Sequence, residues 1–335
     1  MIIPVNVSGG GYDIVLERGA LDKVGSLLNL NRKVLIVTDD GVPEIYAQTV
    51  AKYSKFPVIV TLPQGEKTKC FESYKLLLSK MVTEGFTRTD CVVAVGGGVM
   101  GDLAGFVAAS FMRGVDFYNI PTTVLSQVDS SIGGKVAIDF QGYKNIVGAF
   151  YQPKRVIIDS NVLKTLPKRQ IANGLAESVK MSLTSDKDLF ELFETEDINS
   201  NIDKIIEASL RIKKAVVEED EKESGLRKIL NFGHTVAHGI ESDSGMNQWY
   251  HGECVAVGMI PMCSKEVRSR LIKVLKKIGL PVKIDCSADT VIEAMSHDKK
   301  MAGNEITVIT VEKVGEFKME KIPFSSLANK MKEVL

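Results

Sequence analysis

Apolar residues recur along this chain in two rhythms that change places near its middle. In the first half, short β-branched runs alternate with amphipathic segments. KVLIVTDD (33–40), FPVIVTLP (56–63) and CVVAVGGG (91–98) predict strands, while VPEIYAQTVAKY, CFESYKLLLSKMVTEG (70–85) and GDLAGFVAASF carry helical spacing. Gly85 is placed to close the second of these helices. The opening MIIPVNVSGGGYDIVLERG reads as strand, turn, strand. Strands about 25 to 35 residues apart with helices between them predict a parallel sheet built by crossover connections. From Asp116 to Asp159 the texture shifts to Gly, Ser and Thr, with further strands expected at FYNIP, KVAID and RVIID.

After about Leu163 the helical period dominates: IANGLAESVKMSL, DKDLFELFE, NIDKIIEASLRIKKAVVEED, VRSRLIKVLKKIG and DTVIEAMSHDKK. The pattern predicts an α/β N-terminal domain at about 1–162, with a mostly parallel Rossmann-like sheet, and a mainly α-helical C-terminal domain at about 163–335. At 335 residues the chain is too long for one ordinary core, which agrees with that division.

Charge removes several classes of partner. Forty-two basic residues balance forty-two acidic ones, so no whole-molecule field recruits nucleic acid or an anionic membrane. The five cysteines are odd in number, scattered and without CxxC spacing, which argues against a disulfide framework or a thiolate metal site. The most apolar window, Cys91 to Met112, is broken by glycines and Asp102 and cannot span a membrane. No basic segment precedes an apolar one at the N-terminus, so a cytoplasmic protein is expected.

Against that background the histidines stand out. There are four, and His234, His238 and His251 fall within GLRKILNFGHTVAHGIESDSGMNQWYHGE (225–253). Two imidazoles four apart leave one helix face, and a third on a following helix can meet them. They are candidates to hold a metal with a carboxylate as a further ligand, or else to satisfy separate buried hydrogen bonds. In IIEASLRIKKAVV, Lys213 lies on the apolar stripe of Ile206, Leu210, Val216 and Val217, which implies an anion or a metal-site carboxylate nearby. Glu177 and Lys180 share a face in the same way.

A second cluster surrounds glycine. Gly96-Gly97-Gly98-Val99-Met100-Gly101 satisfies GxGxxG between a strand and a helix, where backbone amides approach a pyrophosphate. Asp39 and Asp40 end a strand as a ribose-binding acid would, and Glu66 and Lys69 follow in PQGEKTK. The alternative is a tight turn that binds nothing. Arg113, Lys135, Lys144 beside Asn145, Lys180, Lys213, Arg227, Lys299 and Lys300 add cations near these motifs.

Taken together, GGGVMGDLAGFVAASFMRG, IPTTVLSQVDSSIGGKVAID, GYKNIVGAFYQP, AESVKM, GLRKILNFGHTVAHGIE, HGECVAVGM and HDKK resemble the 3-dehydroquinate synthase family of sugar phosphate cyclases, in order and spacing, from about residue 33 to 303. The resemblance implies conversion of 3-deoxy-D-arabino-heptulosonate 7-phosphate to 3-dehydroquinate and phosphate in the shikimate pathway. The implied route is NAD-mediated oxidation, phosphate β-elimination, reduction, ring opening and intramolecular aldol closure. It implies a metal, zinc or alternatively cobalt, on Glu177, His234 and His251, with His238 moved to the substrate side. Asp39, Glu66, Lys69, Gly97, Gly98, Val99, Asp102, Thr122 and Thr123 fall on NAD-binding positions, with Lys135 and Lys144 shared between nucleotide and substrate. Asp129, Asn145, Lys180, Lys213, Arg227, Asn231 and Lys299 or Lys300 fall around the substrate, with Arg113 near its phosphate. A homodimer is implied as well. The chain departs from the family pattern at GHTVAH, where GHTxGH is commoner, and at VKMSL after Glu177. Three rival readings remain: a metal-dependent polyol dehydrogenase of the glycerol dehydrogenase kind, a cyclase acting on another sugar phosphate, and a non-catalytic NAD-sensing protein.

Overall fold

The computed structural model describes residues 1–8, 10–243, 249–284, 291–293 and 305–332. The chain divides into two compact units, Met1–Pro167 and Lys168–Leu335.

The first unit is built on a seven-stranded sheet in the order β1-β2-β9-β6-β5-β3-β4. Its strands are β1 (Ile2–Val5), β2 (Tyr12–Leu16), β3 (Lys33–Asp39), β4 (Phe56–Leu62), β5 (Cys91–Gly96), β6 (Asp116–Pro121) and β9 (Arg155–Ile158). Only the β1–β2 hairpin is antiparallel; every other pairing in this sheet is parallel. Helices α1 (Val24–Leu27), α2 (Glu44–Tyr53), α3 (Phe71–Thr83) and α4 (Gly98–Ser110) lie in the connections. A strand covered on both faces reads as a continuous apolar run, and all of β5 is buried. Edge strand β4 is largely exposed although its sequence is as β-branched as that of β3, because it has a neighbour on one side only. Leu35, Val92, Leu103, Val107 and Phe117 belong to the core beneath α3 and α4. Gly85 ends α3 as expected, in left-handed backbone at φ 63°, with Phe86 N–H bonded to Met81 O at 2.9 Å.

All three strands expected between Asp116 and Asp159 form, one of them outside the main sheet. KVAID forms β7 (Lys135–Phe140), which stays outside the main sheet and pairs antiparallel with β8 (Tyr143–Phe150), a strand that the glycine-rich texture had hidden. The Gln141-Gly142 turn between them has both residues at positive φ, the geometry of a two-residue hairpin.

The second unit is mainly helical: α5 (Lys168–Ser185), α6 (Lys187–Thr195), α7 (Ile202–Glu219), α8 (His234–Asp243), α9 (His251–Met259), α10 (Lys265–Ile278) and α11 (Phe324–Lys332). It also holds an antiparallel pair, β10 (Glu305–Lys313) and β11 (Glu316–Pro323), that the helical reading of this half had missed. Exposed polar and buried apolar residues alternate at the start of β10, from Glu305 through Val308. Gly279 closes α10 in left-handed backbone. The helix expected over DTVIEAMSHDKK lies mostly outside the described residues, with 291–293 helical. No helix among the described residues is long and apolar enough to cross a membrane.

Candidate active site

Helix α5 organises the second unit. Arg169, Asn173 and Glu177 recur every four residues, so they share a face. Each meets the first turn of α9. Arg169 donates to both carboxylate oxygens of Glu253, at 2.7 and 2.8 Å. Asn173 Oδ1 accepts the Gly252 N–H at 2.7 Å. Glu177 Oε1 lies 3.5 Å from His251 Nε2. The two backbones are so close that a Cβ on Gly252 would sit 2.0 Å from Asn173 O, so only glycine fits.

His234, at the start of α8, brings its Nε2 to 3.7 Å from the same Glu177 oxygen. The ligand atoms of Glu177, His234 and His251 all lie within 4.8 Å of one another, and no other such group occurs among the described residues. Donors about 2.0–2.2 Å from a tetrahedral zinc are separated by about 3.3–3.6 Å, close to the two Glu177–imidazole distances. Each imidazole is aimed from behind: His251 Nδ1 is 2.8 Å from Glu241 Oε1, and His234 Nδ1 is 3.2 Å from Phe232 O. Glu177 is fully buried, with the Lys180 ammonium against Oε2 as an ion pair and the two imidazole nitrogens beside Oε1. A buried carboxylate in that condition, facing two imidazole nitrogens, fits a divalent cation.

The electrostatics point the same way. Burial would raise the Glu177 carboxyl, but Lys180 and then the two histidines hold it well below the usual range. Burial and the Lys180 charge hold His234 well below its ordinary value, so it stays neutral and able to ligate. For His251 burial pulls down, but Glu177 and Glu241 outweigh it and push the imidazole up to about 9. His238 stays outside this group, its ring edge-on to His234 at 5.8 Å.

In the first unit, β3 and β5 are adjacent, and the connections after them leave in opposite directions, toward β4 and toward β6. Ligands of open α/β sheets bind in the crevice beyond the strand ends at such a point. Asp39 ends β3, and a Cβ on Gly96 at the end of β5 would sit 3.6 Å from Asp39 Oδ2. Helix α4 starts at Gly98 with no side-chain cap, leaving its first amides to an anion. A Cβ on Gly97 would come to 3.3 Å from Thr123, so glycine keeps this crevice open. Nearby, the buried Lys69 ammonium is ringed by Asn145 Oδ1 at 2.6 Å, Glu66 Oε1 at 3.0 Å, Asp102 Oδ2 at 3.2 Å and Asp139 Oδ1 at 4.0 Å.

Known proteins share this plan. Residues 59–173 match the family model described as 3-dehydroquinate synthase N-terminal, and residues 174–301 match 3-dehydroquinate synthase C-terminal. A 3-dehydroquinate synthase of Enterococcus faecalis is 40% identical over 344 residues, covering 96% of each chain. This chain belongs to the 3-dehydroquinate synthase family. Among solved structures, 2-deoxy-scyllo-inosose synthase complexed with carbaglucose-6-phosphate, NAD+ and Co2+ superposes with a TM-score of 0.89 at 24% identity, covering all of both chains. A 2-epi-5-epi-valiolone synthase from Streptomyces hygroscopicus with NAD+ and Zn2+ bound gives 0.87 at 23%, covering 98% of this chain and 97% of that one. At that identity the two share the fold of this 3-dehydroquinate synthase family member.

The remaining residues singled out in the family motifs fall as follows. In the first unit Asp129 sits in a π-helical turn (Ser126–Ser130), Lys135 opens β7, and Lys144 and Asn145 lie on β8, with Asn145 in left-handed backbone at φ 55°. Val99 and Asp102 lie in α4, and Thr122 and Thr123 follow β6. Thr122 N–H bonds Gly96 O at 2.9 Å. Arg113 is exposed on a left-handed turn after α4. In the second unit Lys180 and Arg227 are each 2% exposed and Lys213 is 5% exposed, all three in the interior. Lys213 shares its α7 face with Leu210 and Val217, one turn from Ser209, whose hydroxyl bonds Ser178 of α5 at 2.9 Å. Asn231 Nδ2 donates to Glu223 Oε1 at 2.7 Å. Lys299 and Lys300 lie outside the described residues. Sequence reasoning overlooked Glu241, Asp139, Asn173 and Asp220. Two of them carried a signal: Asn173 lies four residues before Glu177 on α5, and Glu241 three after His238 on α8.

Proposed function

We propose that this chain is a 3-dehydroquinate synthase, which converts 3-deoxy-D-arabino-heptulosonate 7-phosphate to 3-dehydroquinate and inorganic phosphate. What carries the reading is the Glu177–His234–His251 group in one unit with the buried cations Lys180, Lys213 and Arg227, in a chain 40% identical to a synthase of that name. A simple polyol dehydrogenase has no use for so many interior cations, because its substrate is uncharged.

Glu177, His234 and His251 hold a divalent cation, zinc or cobalt, and the crevice at Asp39, Gly97 and Gly98 holds NAD. When bound, the cation acidifies a coordinated hydroxyl and the nucleotide takes up and returns a hydride. Lys180 keeps Glu177 ionised and so ready to ligate. Arg227, whose planar fork suits a carboxylate, and Asn231 take the carboxylate of the substrate. By the motifs they occupy, Lys213, Lys180, His238 and Asp129 serve the ring of the substrate, and Lys135, Lys144 and Arg113 its phosphate. Lys69, Glu66, Asp102 and Asn145 line the nucleotide side as one hydrogen-bonded network. The enzyme works as a cytoplasmic homodimer on a small sugar phosphate.

The test is to incubate the protein with the heptulosonate phosphate, zinc and trace NAD and to follow phosphate. Phosphate far exceeding the NAD present supports the synthase. NADH accumulating in proportion to substrate consumed, with no phosphate, supports the dehydrogenase.

A further inference from the structure

Asp220 follows the last turn of α7 and is 9% exposed. Its carboxylate gathers the chain that comes after it. Oδ1 accepts from Ser224 N–H at 2.9 Å and from the Ser224 hydroxyl at 3.1 Å. Oδ2 accepts from Gly225 N–H at 2.7 Å and Arg227 N–H at 3.0 Å. Burial opposes the charge, yet these donors hold the carboxyl well below the usual carboxylate range.

The loop wound around Asp220 in turn supplies the partners of two residues downstream. Arg227 Nη1 donates to Glu221 O, and Asn231 Nδ2 donates to the Glu223 carboxylate at 2.7 Å. Glu223 adopts left-handed backbone at φ 61°, a conformation that persists only where its surroundings impose it. The carboxylate of Asp220 is what folds the loop back there. A guanidinium fork recognises a carboxylate through two parallel hydrogen bonds, so its placement matters as much as its charge.

We propose that Asp220 is a positioning residue that sets Arg227 and Asn231 as the carboxylate-recognising pair, and thereby the selectivity for a carboxylated sugar phosphate. This rests on the synthase reading. Asp220 touches no substrate; it acts through the loop.

The test compares wild type, Asp220→Asn and the milder Ser224→Ala on the heptulosonate phosphate and on its carboxamide analogue, with bound metal measured in each. Asn keeps the size of the side chain but turns an N–H2 toward N–H donors. Displacing a binding group by about 1 Å costs on the order of 100-fold. KM for the carboxylated substrate should therefore rise by about 10- to 100-fold in Asp220→Asn, with kcat within a few-fold and metal content unchanged. Its preference over the carboxamide should collapse, and Ser224→Ala should shift both in the same direction by a few-fold. An unchanged KM, or an equal loss on both compounds, overturns the inference while the reaction stands. A wild type that releases no phosphate from the carboxylated compound overturns the reaction and this inference with it. If Asp220→Asn does not fold, an unaltered preference in Ser224→Ala overturns the inference.

Discussion

His251 Nδ1 and Glu241 Oε1 lie 2.8 Å apart, joining the first residue of α9 to the buried face of α8. The bond fixes which imidazole nitrogen points at Glu177. Partners of this kind behind a metal ligand typically contribute 10- to 100-fold in affinity. Glu241→Ala is expected to weaken zinc binding by about that factor, and Glu241→Gln, which still accepts a hydrogen bond, by less. Competition against a chromophoric chelator measures it; equal affinity in all three proteins would show that the contact does not orient the ligand.

Metal uptake should expel a proton. In the metal-free protein His251 is raised to about 9 by Glu177 and Glu241, so it is charged at neutral pH, while His234 is already neutral. The stability from the His251 charge is complete below its unfolded value of about 6.5 and is lost as pH rises through about 9. A ligating imidazole must be neutral, so zinc affinity should climb with pH and level off near the raised value. Calorimetry at pH 7.5 in buffers of different ionisation heat should report about one proton released per zinc. A count near zero would mean that His251 is not displaced from its protonated form.

Lys180→Met breaks a buried pair and leaves Glu177 without its cation. Removing one partner of such a pair costs on the order of 3–5 kcal/mol. The metal-free variant should unfold at a clearly lower temperature, and zinc should recover part of the difference because it binds only the folded protein. A melting temperature equal to that of wild type would place the ammonium in water.

The Asp220 cage predicts the opposite pH sign from His251. A lowered carboxyl adds stability above its unfolded value of about 3.9, and that stability is lost as pH falls below it. The gap in melting temperature between wild type and Asp220→Asn should be constant above about pH 5 and shrink below pH 4. A gap that does not narrow in acid would mean that the carboxylate charge is not what holds the loop.

How much of this was readable beforehand depended on scarcity. Three of four histidines within one stretch mark a site without any coordinates, and Glu177 with Lys180 followed from helical spacing. Glu241 showed only as a helical neighbour of His238 and Asp220 not at all, because they are two among forty-two acids and their roles depend on a loop or helix brought up from elsewhere in the fold. Lys213 was visible because a charge on an apolar stripe breaks a pattern, whereas Asp139 breaks none. The parallel sheet was legible from its buried strands. Strands β8 and β10 were not, because GYKNIVGAF looks like a glycine-rich loop and EITVITVEK follows a long helical stretch.

The most direct test of the central claim counts phosphate released per NAD by wild type and by His251→Ala, with bound zinc measured in both. Many phosphates per NAD in wild type, and neither zinc nor turnover in the variant, are predicted. A variant that keeps a full complement of zinc and full turnover would contradict the ligand set, and a wild type that releases none would contradict the reaction.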